Sequence, residues 1–399
     1  MRTRVFDARQ KRVLAACFIA YLFAYVGRLN MSATLDQIIE GMRVDSARGG
    51  TLQTVFAVVY ACGQFVFGAM VDRVAPRKLL LVGMVGSAAC NFSFSFAGSF
   101  SLLLGLWAGN GFFQSMLWTP IVYLMAENFE GEKKKKASFV MSFTLALGHI
   151  AAWALAGFLS ERFGWRQAYR IPAFTLLAAC AVSQLILPGR KDGSDRKGAA
   201  ADEVIGKMPV RELFSTGLIA LLLCCVMNGF VRDGVITWGP TILGAEKGMM
   251  TLIIPCVNLI GIVVGATVVR MFAQGARMVG AGMMAACAVP AIGLMLFPGA
   301  SVPVLALFLG VLSAILYGSN PIFTTLIPME YYKVGRVGLV GGLSDAFIYL
   351  GSALAGFFTG WLHDATASWQ GAYLLWGVCS VIGAILGFAA YRGGKRLQR

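Results

Sequence analysis

Charged residues are scarce in this chain: only 13% of its 399 residues are Asp, Glu, Lys or Arg, whereas 58% are hydrophobic and the mean hydropathy is +0.72. A water-soluble protein of this length could not bury so much apolar surface, so the bilayer is the expected solvent. There are only two histidines, and the nine cysteines form no Cys-x-x-Cys pair. Because no metal-ligand spacing and no nucleophile–base arrangement is visible, we expect neither an enzyme nor a cofactor.

Basic residues outnumber acidic ones by 34 to 19, which gives a formal net charge of +15. A basic patch would indicate nucleic acid, but here the charge is spread over short segments between apolar runs. We therefore expect no nucleic-acid partner. The expected partners are membrane lipid and a small solute, and the protein is expected to be a monomer.

Twelve apolar stretches each reach the ~20 residues that a helix needs to cross a bilayer. The first is too long for a cleavable signal peptide and is interpreted as the first transmembrane helix. The expected fold is therefore all-α, with twelve transmembrane helices over residues 13–34, 49–71, 78–98, 101–126, 135–160, 166–187, 213–244, 247–270, 277–297, 301–328, 335–362 and 368–391.

Lys and Arg are distributed asymmetrically between alternate loops. If the N-terminus is cytoplasmic, most of the 34 fall on the cytoplasmic side, including the run "EKKKK" at 132–136, which is interpreted as a loop. Such a bias sets the orientation of membrane proteins. We expect a multi-pass protein of the cell inner membrane with both termini in the cytoplasm.

The longest polar stretch, residues 188–212, divides six spans from six. We expect a six-helix bundle at 1–188, a cytoplasmic linker at 189–212 and a second bundle at 213–399. "WRQAY" at 165–169 returns as "WQGAY" at 369–373, and the offset of 204 positions also separates Arg28 from Arg232. Parallel halves of this kind build one large class of transporters, with the substrate site near the midplane.

Arg28 and Arg232 lie inside apolar spans, where a charge costs about 2.5–3.5 kcal/mol on insertion scales. Each could simply pair with an internal acid, and the candidates for charge balance or coupling are Asp233 and Asp345. The equivalent placement of two arginines favours a second interpretation, in which both bind one anion. Guanidinium groups bind phosphate and carboxylate bidentately and keep their charge.

Polar neighbours accompany both arginines. Tyr21, Tyr25 and Arg28 follow the i, i+4, i+7 spacing of one helix face, and Asn228 lies one turn before Arg232. These residues are predicted to line the path of the substrate, although tyrosines also serve as packing groups at membrane interfaces.

Four stretches resemble sequences of the major facilitator superfamily, and the resemblance extends across essentially the whole chain. "GAMVDRVAPRK" at 68–78 is similar to its signature loop through Gly68, Asp72, Arg73 and Arg77. "YLFAYVGRLN", "NGFFQSMLWTP" and "RDGVITWGPT" resemble the first, fourth and seventh helices of organophosphate:phosphate antiporters, such as the bacterial glycerol-phosphate transporter. The resemblance implies that Arg28 and Arg232 bind phosphate and that the loop latches a cytoplasmic gate.

The chain departs from that family at several positions. Gln64 and Tyr123 stand where a lysine and an arginine are usual, His149 lies about two positions from the family's histidine, and Asp345 replaces a small residue. These four residues are carried over as substrate-binding or charge-balancing candidates. The cavity would be less positive than that of a glycerol-phosphate transporter, which leaves room for a singly charged anion.

The sequence thus predicts a secondary transporter of an anionic, phosphorylated small solute, bound between Arg28 and Arg232 and exchanged for inorganic phosphate. "YVGRLNMSA" also resembles the anion:cation symporter family, which implies proton-coupled uptake of an organic acid with Asp233 or Asp345 as proton carrier. A sensor with a transporter fold is a further alternative.

Overall fold

The computed structural model describes residues 6–70, 74–188, 210–214, 217–244, 251–271, 275–297, 299–331 and 336–394. Within these ranges the chain forms twelve helices of 19 residues or more, and each predicted span overlaps one of them. By length and apolar composition, eight helices of the described residues qualify as membrane-crossing, and Ile253–Gly265 is an apolar segment of shorter length.

The first six long helices are α1 (Ala8–Met42), α2 (Ser46–Met70), α3 (Pro76–Phe94), α4 (Phe100–Asn128), α5 (Gly131–Phe163) and α6 (Gln167–Ile186). Local chemistry explains several of their ends. Pro76 starts α3, where its missing N–H costs nothing, and the Ser99 side chain accepts a hydrogen bond from the Leu102 backbone at the start of α4. Gly164 ends α5 with a φ of 81°, a conformation that glycine adopts without strain.

The run "EKKKK" was expected to be a loop, and the structure places residues 132–136 in the first turns of α5 instead. Glu and Lys are good helix formers, so a helix can continue past the apolar span into water.

The second set comprises α7 (Leu218–Leu243), α8 (Ile253–Met271), α9 (Ala276–Leu296), α10 (Val302–Pro321), α11 (Val337–Thr366) and α12 (Gln370–Gly394), preceded by a short turn at Val210–Leu213. Beyond Pro321, α10 continues as a π-helical turn over Ile322–Leu326 and a last turn at Ile327–Met329. A π-turn is often found at a functional site.

The chain divides into two compact units, one built from residues 1–34 and 59–202 and the other from residues 35–58 and 203–399. The division near residue 202 falls in the predicted linker, most of which lies outside the described residues. The outer ends of α1 and α2 belong to the second unit, where Thr54 donates to the Ala353 carbonyl and Gln53 to the Ser352 hydroxyl. The Asp364 carboxylate caps the start of α2 by accepting from the Ala47 backbone at 2.7 Å.

Glycine allows α7 and α11 to pack with their backbones in contact. A methyl group at Gly229 would lie 1.9 Å from the Ile348 carbonyl oxygen, and one at Gly351 would lie 2.0 Å from that of Val226. Small residues at such positions are typical of helix pairs in membranes. Since Arg232 lies three residues after Gly229, this contact fixes the part of α7 that carries the arginine.

Arg77 and Arg277 tie equivalent helices together, one in each unit. Arg77, at the start of α3, donates to the side chain and the carbonyl of Gln184 near the end of α6. Arg277, at the start of α9, pairs with Glu330 at 2.6 Å and donates to the Ala390 carbonyl in α12. The two arginines therefore hold the third and sixth helices of each set together.

Candidate functional site

Arg28 lies in a cleft of the first unit, half-buried on α1. Its guanidinium carbon lies 4.7 Å from the centre of the Tyr60 ring on α2, a distance at which a cation is attracted to an aromatic face. The cleft is lined by Tyr21, Ala24, Tyr25, Arg28, Tyr60, Gln114 and Leu117, from α1, α2 and α4. The predicted stripe of two tyrosines and an arginine therefore shares one cleft.

Aromatic rings continue the cleft on both sides of the stripe. Tyr21 packs on Trp118 with ring centres 4.8 Å apart, and its hydroxyl accepts from that of Tyr25 at 3.4 Å. Tyr25 stacks on His149, which is buried and contacts the ring of Trp153 edge-on. The structure therefore places His149 behind Tyr25, where it supports the cleft wall.

A network of buried amides holds the backbone of α1 immediately before Arg28. The Gly27 carbonyl accepts from the side-chain amides of Asn91 at 2.9 Å and Asn110 at 3.0 Å. The Ala24 carbonyl accepts from Gln114 at 2.9 Å, and the Ser87 hydroxyl links Gln114 to Asn110. Because α3 and α4 both bond to this one stretch of α1, the network positions the backbone next to Arg28.

Replacing Asn110 with Leu should therefore weaken both the fold and the site. The Ser87 hydroxyl would lose its acceptor inside the bundle, and an unpaired buried group of this kind costs about 1–3 kcal/mol. We expect a lower thermal unfolding temperature in detergent and a weaker anion affinity at Arg28. Thr34→Val, which removes a buried hydroxyl that bonds Tyr169, is the matched control and should leave anion affinity unchanged. Equal loss of affinity in both variants would contradict a positioning role for Asn110.

In the second unit, Arg232 is held by two side chains. Its Nε and Nη2 donate to the two carboxylate oxygens of Asp233 at 2.8 and 3.0 Å, and its Nη1 donates to Asn320 on α10 at 2.6 Å. Only 12% of the Arg232 side chain and 10% of the Asp233 side chain are exposed. Asp233 is thus in bidentate contact with Arg232, and its role in charge balance or coupling stays a prediction.

Asn320 directly precedes Pro321 and the π-helical turn of α10. Tyr317 on α10 and Tyr349 on α11 lie close enough to interact with the charge of Arg232. Asp345 lies one turn before Tyr349 and is half-buried. The predicted charge-balancing role of Asp345 stays a prediction.

The remaining predicted substrate-binding residues lie in different surroundings. Asn228 is fully buried and donates to Ser319 at 2.9 Å, inside the bundle. Tyr123 packs against the hydrophobic cluster of Phe67, Leu79 and Met116. The binding roles assigned to Asn228 and Tyr123 stay predictions.

Gln64 lies one turn after Tyr60 on α2, and its Oε1 accepts from Thr119 at 3.1 Å. Its amide nitrogen is buried and has no hydrogen-bond partner among the described residues. A buried donor without an acceptor is rare in proteins, and an oxygen of a bound solute would satisfy it.

The predicted gating loop is only partly described. Gly68 lies in α2, and Arg77 forms the structural tie to α6 given above. Asp72 and Arg73 lie outside the described residues. The latch role of the four residues stays a prediction.

The family model of the Major Facilitator Superfamily matches residues 17–329. The chain belongs to this superfamily. The predicted fold is thereby confirmed, and the chain is a multi-pass membrane protein of this superfamily.

Within the superfamily, the chain is similar to proteins named as transporters of phosphorylated solutes. The chain is 25% identical over 197 residues to a "Probable hexose phosphate transport protein" of Chlamydia trachomatis serovar D, with 49% of this chain and 42% of that protein covered. The match thus spans less than half the length of that relative. The "Phosphoglycerate transporter protein" of Salmonella typhimurium is 24% identical over 97% of this chain and 90% of its own. These relatives confirm the resemblance to organophosphate:phosphate antiporters.

Solved structures agree with the superfamily fold. The crystal structure of a bacterial homologue of the human lysosomal transporter Spinster, in an inward-facing and unoccupied conformation, superposes with a TM-score of 0.78 over 98% of both chains, at 16% identity. Identity this low supports the fold alone.

Tyr60, Gln114 and Asn320 are among the residues of the two sites that were missed from the sequence. Tyr60 and Gln64 form an i, i+4 pair on a predicted span, which could have indicated Tyr60. Asn320 lies in "SNP" at 319–321, a polar pair before a proline within an apolar helix, and that pattern could have indicated a bent helix with a functional side chain.

Proposed function

We propose that this protein carries a small, phosphorylated organic anion across the cell inner membrane by alternating access, in exchange for inorganic phosphate, with both termini in the cytoplasm. Arg28 and Arg232 are its anion-binding residues. The observation that carries the proposal is the pair of arginines at equivalent positions of the two halves, each inside an apolar helix, the first over the Tyr60 ring and the second bonded to Asp233 and Asn320. Two relatives are named for transport of hexose phosphate and phosphoglycerate, which supports a phosphoryl group on the substrate.

The chemistry of the first site suits such a solute. A guanidinium group binds the oxygens of an oxyanion through several N–H donors, and the tyrosine hydroxyls nearby can donate to further oxygens. Gln114, which lines the same cleft, adds a side-chain amide. The site thus combines one permanent charge with several neutral donors.

A second candidate function is proton-coupled uptake of an organic acid. The observation that favours it is the intramembrane carboxylate of Asp233 beside Arg232. An ionisable group of this kind is often a proton relay in transporters. A requirement for a pH gradient, with no exchange for phosphate, would support this candidate over antiport.

The test is exchange of labelled external phosphate into proteoliposomes loaded with unlabelled phosphate. Arg232→Ala alone would break the buried ion pair with Asp233, which costs about 3–5 kcal/mol, so the double variant Arg232→Ala/Asp233→Ala is the informative one. We expect saturable exchange by the wild type and none by the double variant or by Arg28→Ala. Wild-type protein that binds phosphate without exchanging it would indicate a sensor and would contradict the proposal.

A further inference from the structure

The side chain of Gln114 on α4 lies in the wall of the Arg28 cleft, and only 3% of the residue is exposed. Its Nε2 group donates to two oxygens, the Ala24 carbonyl at 2.9 Å and the Ser87 hydroxyl at 3.1 Å. A side-chain amide has two N–H donors. Both are therefore used inside the bundle, and the polar atom that Gln114 has left for the cleft is its carbonyl oxygen, Oε1.

The oxygen and the nitrogen of this amide cannot exchange places, because backbone carbonyls of α1 fix the direction of the hydrogen bonds. The Gly27 carbonyl can only accept, so the nitrogen of Asn110 faces it at 3.0 Å and the oxygen of Asn110 accepts the single hydroxyl hydrogen of Ser87 at 2.6 Å. A reversed Gln114 would place its oxygen against the Ala24 carbonyl and against a hydroxyl with no hydrogen left to donate. The fold therefore sets the orientation of Gln114.

The Oε1 atom of Gln114 is an acceptor that awaits a donor. Within the described residues, the side-chain hydrogen bonds of Gln114 are its two donations, and Oε1 accepts none. A ligand that fills the cleft removes this oxygen from water and must supply an O–H or N–H group in return, or the hydrogen bond is lost. An oxyanion oxygen cannot do so, because it is itself an acceptor.

We infer that Gln114 selects solutes that carry an uncharged donor, a hydroxyl group, beside the phosphoryl group. The inference rests on the proposed function, in which the Arg28 cleft receives a phosphorylated solute. A site built to bond a hydroxyl group rejects the analogue that has none. A fully ionised phosphate monoester has no O–H on phosphorus, so the donor has to come from its organic part. Hydrogen phosphate keeps an O–H of its own, so inorganic phosphate can satisfy the same acceptor during exchange.

Two probes test the inference on the wild type. Glycerol 3-phosphate and propyl phosphate share a three-carbon chain and a phosphoryl group, but propyl phosphate has no hydroxyl group. At about pH 8 both phosphoryl groups are almost fully ionised, since the second pKa of a phosphate monoester is about 6. Binding to purified protein in detergent is measured by the rise in unfolding temperature with probe concentration, which requires no transport. We expect glycerol 3-phosphate to bind more tightly by about tenfold or more.

Gln114→Leu removes the acceptor and should bring the ratio of the two affinities close to one. Ser87→Ala is the matched control, because it damages the same network and leaves Gln114 bonded to the Ala24 carbonyl. It should weaken both probes alike and keep the wild-type ratio. A purely structural role of Gln114 would also weaken both probes alike, so the ratio is the decisive readout. Gln114→Met, of similar length and without the amide, is used if Gln114→Leu does not fold.

The outcomes are distinct. The inference is overturned if the wild type binds propyl phosphate as tightly as glycerol 3-phosphate, if Gln114→Leu and Gln114→Met keep the wild-type ratio, or if Ser87→Ala loses it. Equal binding of the two probes with intact phosphate exchange in proteoliposomes would leave the transport proposal standing. A preference for glycerol 3-phosphate that depends on Gln114, with no phosphate exchange, would support the inference and contradict antiport.

Discussion

Arg28→Lys and Arg232→Lys are each expected to lose most transport although both keep the positive charge. Arg232 uses Nε, Nη1 and Nη2 at once to reach Asp233 and Asn320, and an ammonium group cannot donate in three fixed, coplanar directions. Arg28 lies over the Tyr60 ring, where a planar guanidinium group stacks and a compact ammonium group does not. We expect initial rates of phosphate exchange to fall by at least about tenfold in each variant.

The measurement is the initial rate of exchange in proteoliposomes, normalised to the amount of reconstituted protein. Arg162→Lys, at an exposed arginine over the Phe158 ring, is the matched control and should exchange at the wild-type rate. Wild-type rates in the two site variants would show that a positive charge alone is sufficient, and the role assigned to the guanidinium geometry would be wrong.

Gly229→Ala and Gly351→Ala are expected to give the largest losses of stability. The added methyl group at either position would lie within about 2 Å of a backbone oxygen on the facing helix, at 1.9 Å from Ile348 and 2.0 Å from Val226. No rotamer change can relieve a clash with backbone, so α7 and α11 would have to move apart. Overpacking of this kind costs about 1–3 kcal/mol and sometimes more.

The measurement is the yield of monodisperse protein and its unfolding temperature in detergent. Gly282→Ala in α9 is the control, because a methyl group there meets nothing within 4 Å and alanine favours a helix by up to about 1 kcal/mol. It should leave the unfolding temperature unchanged or raise it. If the α7 and α11 variants behave like the control, the close helix contact does not exist in the protein.

The sequence predicted the twelve helices well because each span has a strong apolar signal bounded by loops with glycine, proline or charge. It predicted Arg28 with Tyr21 and Tyr25 correctly as one face, since helical spacing alone decides which side chains of one helix share a side. It could not predict that Tyr60 lies under Arg28 or that amides on α3 and α4 bond the α1 backbone. Contacts between helices depend on packing, which periodicity does not specify.

The pairing of Arg232 shows the same limit. Neighbouring residues on a helix point about 100° apart, so periodicity alone does not favour a bidentate contact between Arg232 and Asp233. The sequence left Asp233 and Asp345 as equal candidates, and only the side-chain geometry distinguishes Asp233 as the partner in contact. Asn228 shows the reverse case, since spacing put it on the face of Arg232 whereas packing buries it against Ser319.

The π-helical turn at Ile322–Leu326 amounts to one extra residue inserted into α10. The extra residue changes the direction in which side chains point after the turn relative to those before it. Asn320, before the turn, accepts from Arg232, and Tyr331, after the turn, accepts from Arg277. Removing one residue from the turn would restore a continuous α-helix and rotate the residues after the turn by about 100° relative to those before it. A shortened α10 could thus keep the contact to Arg232 or the contact to Arg277, but not both, so the length of this helix is itself a constraint on the sequence.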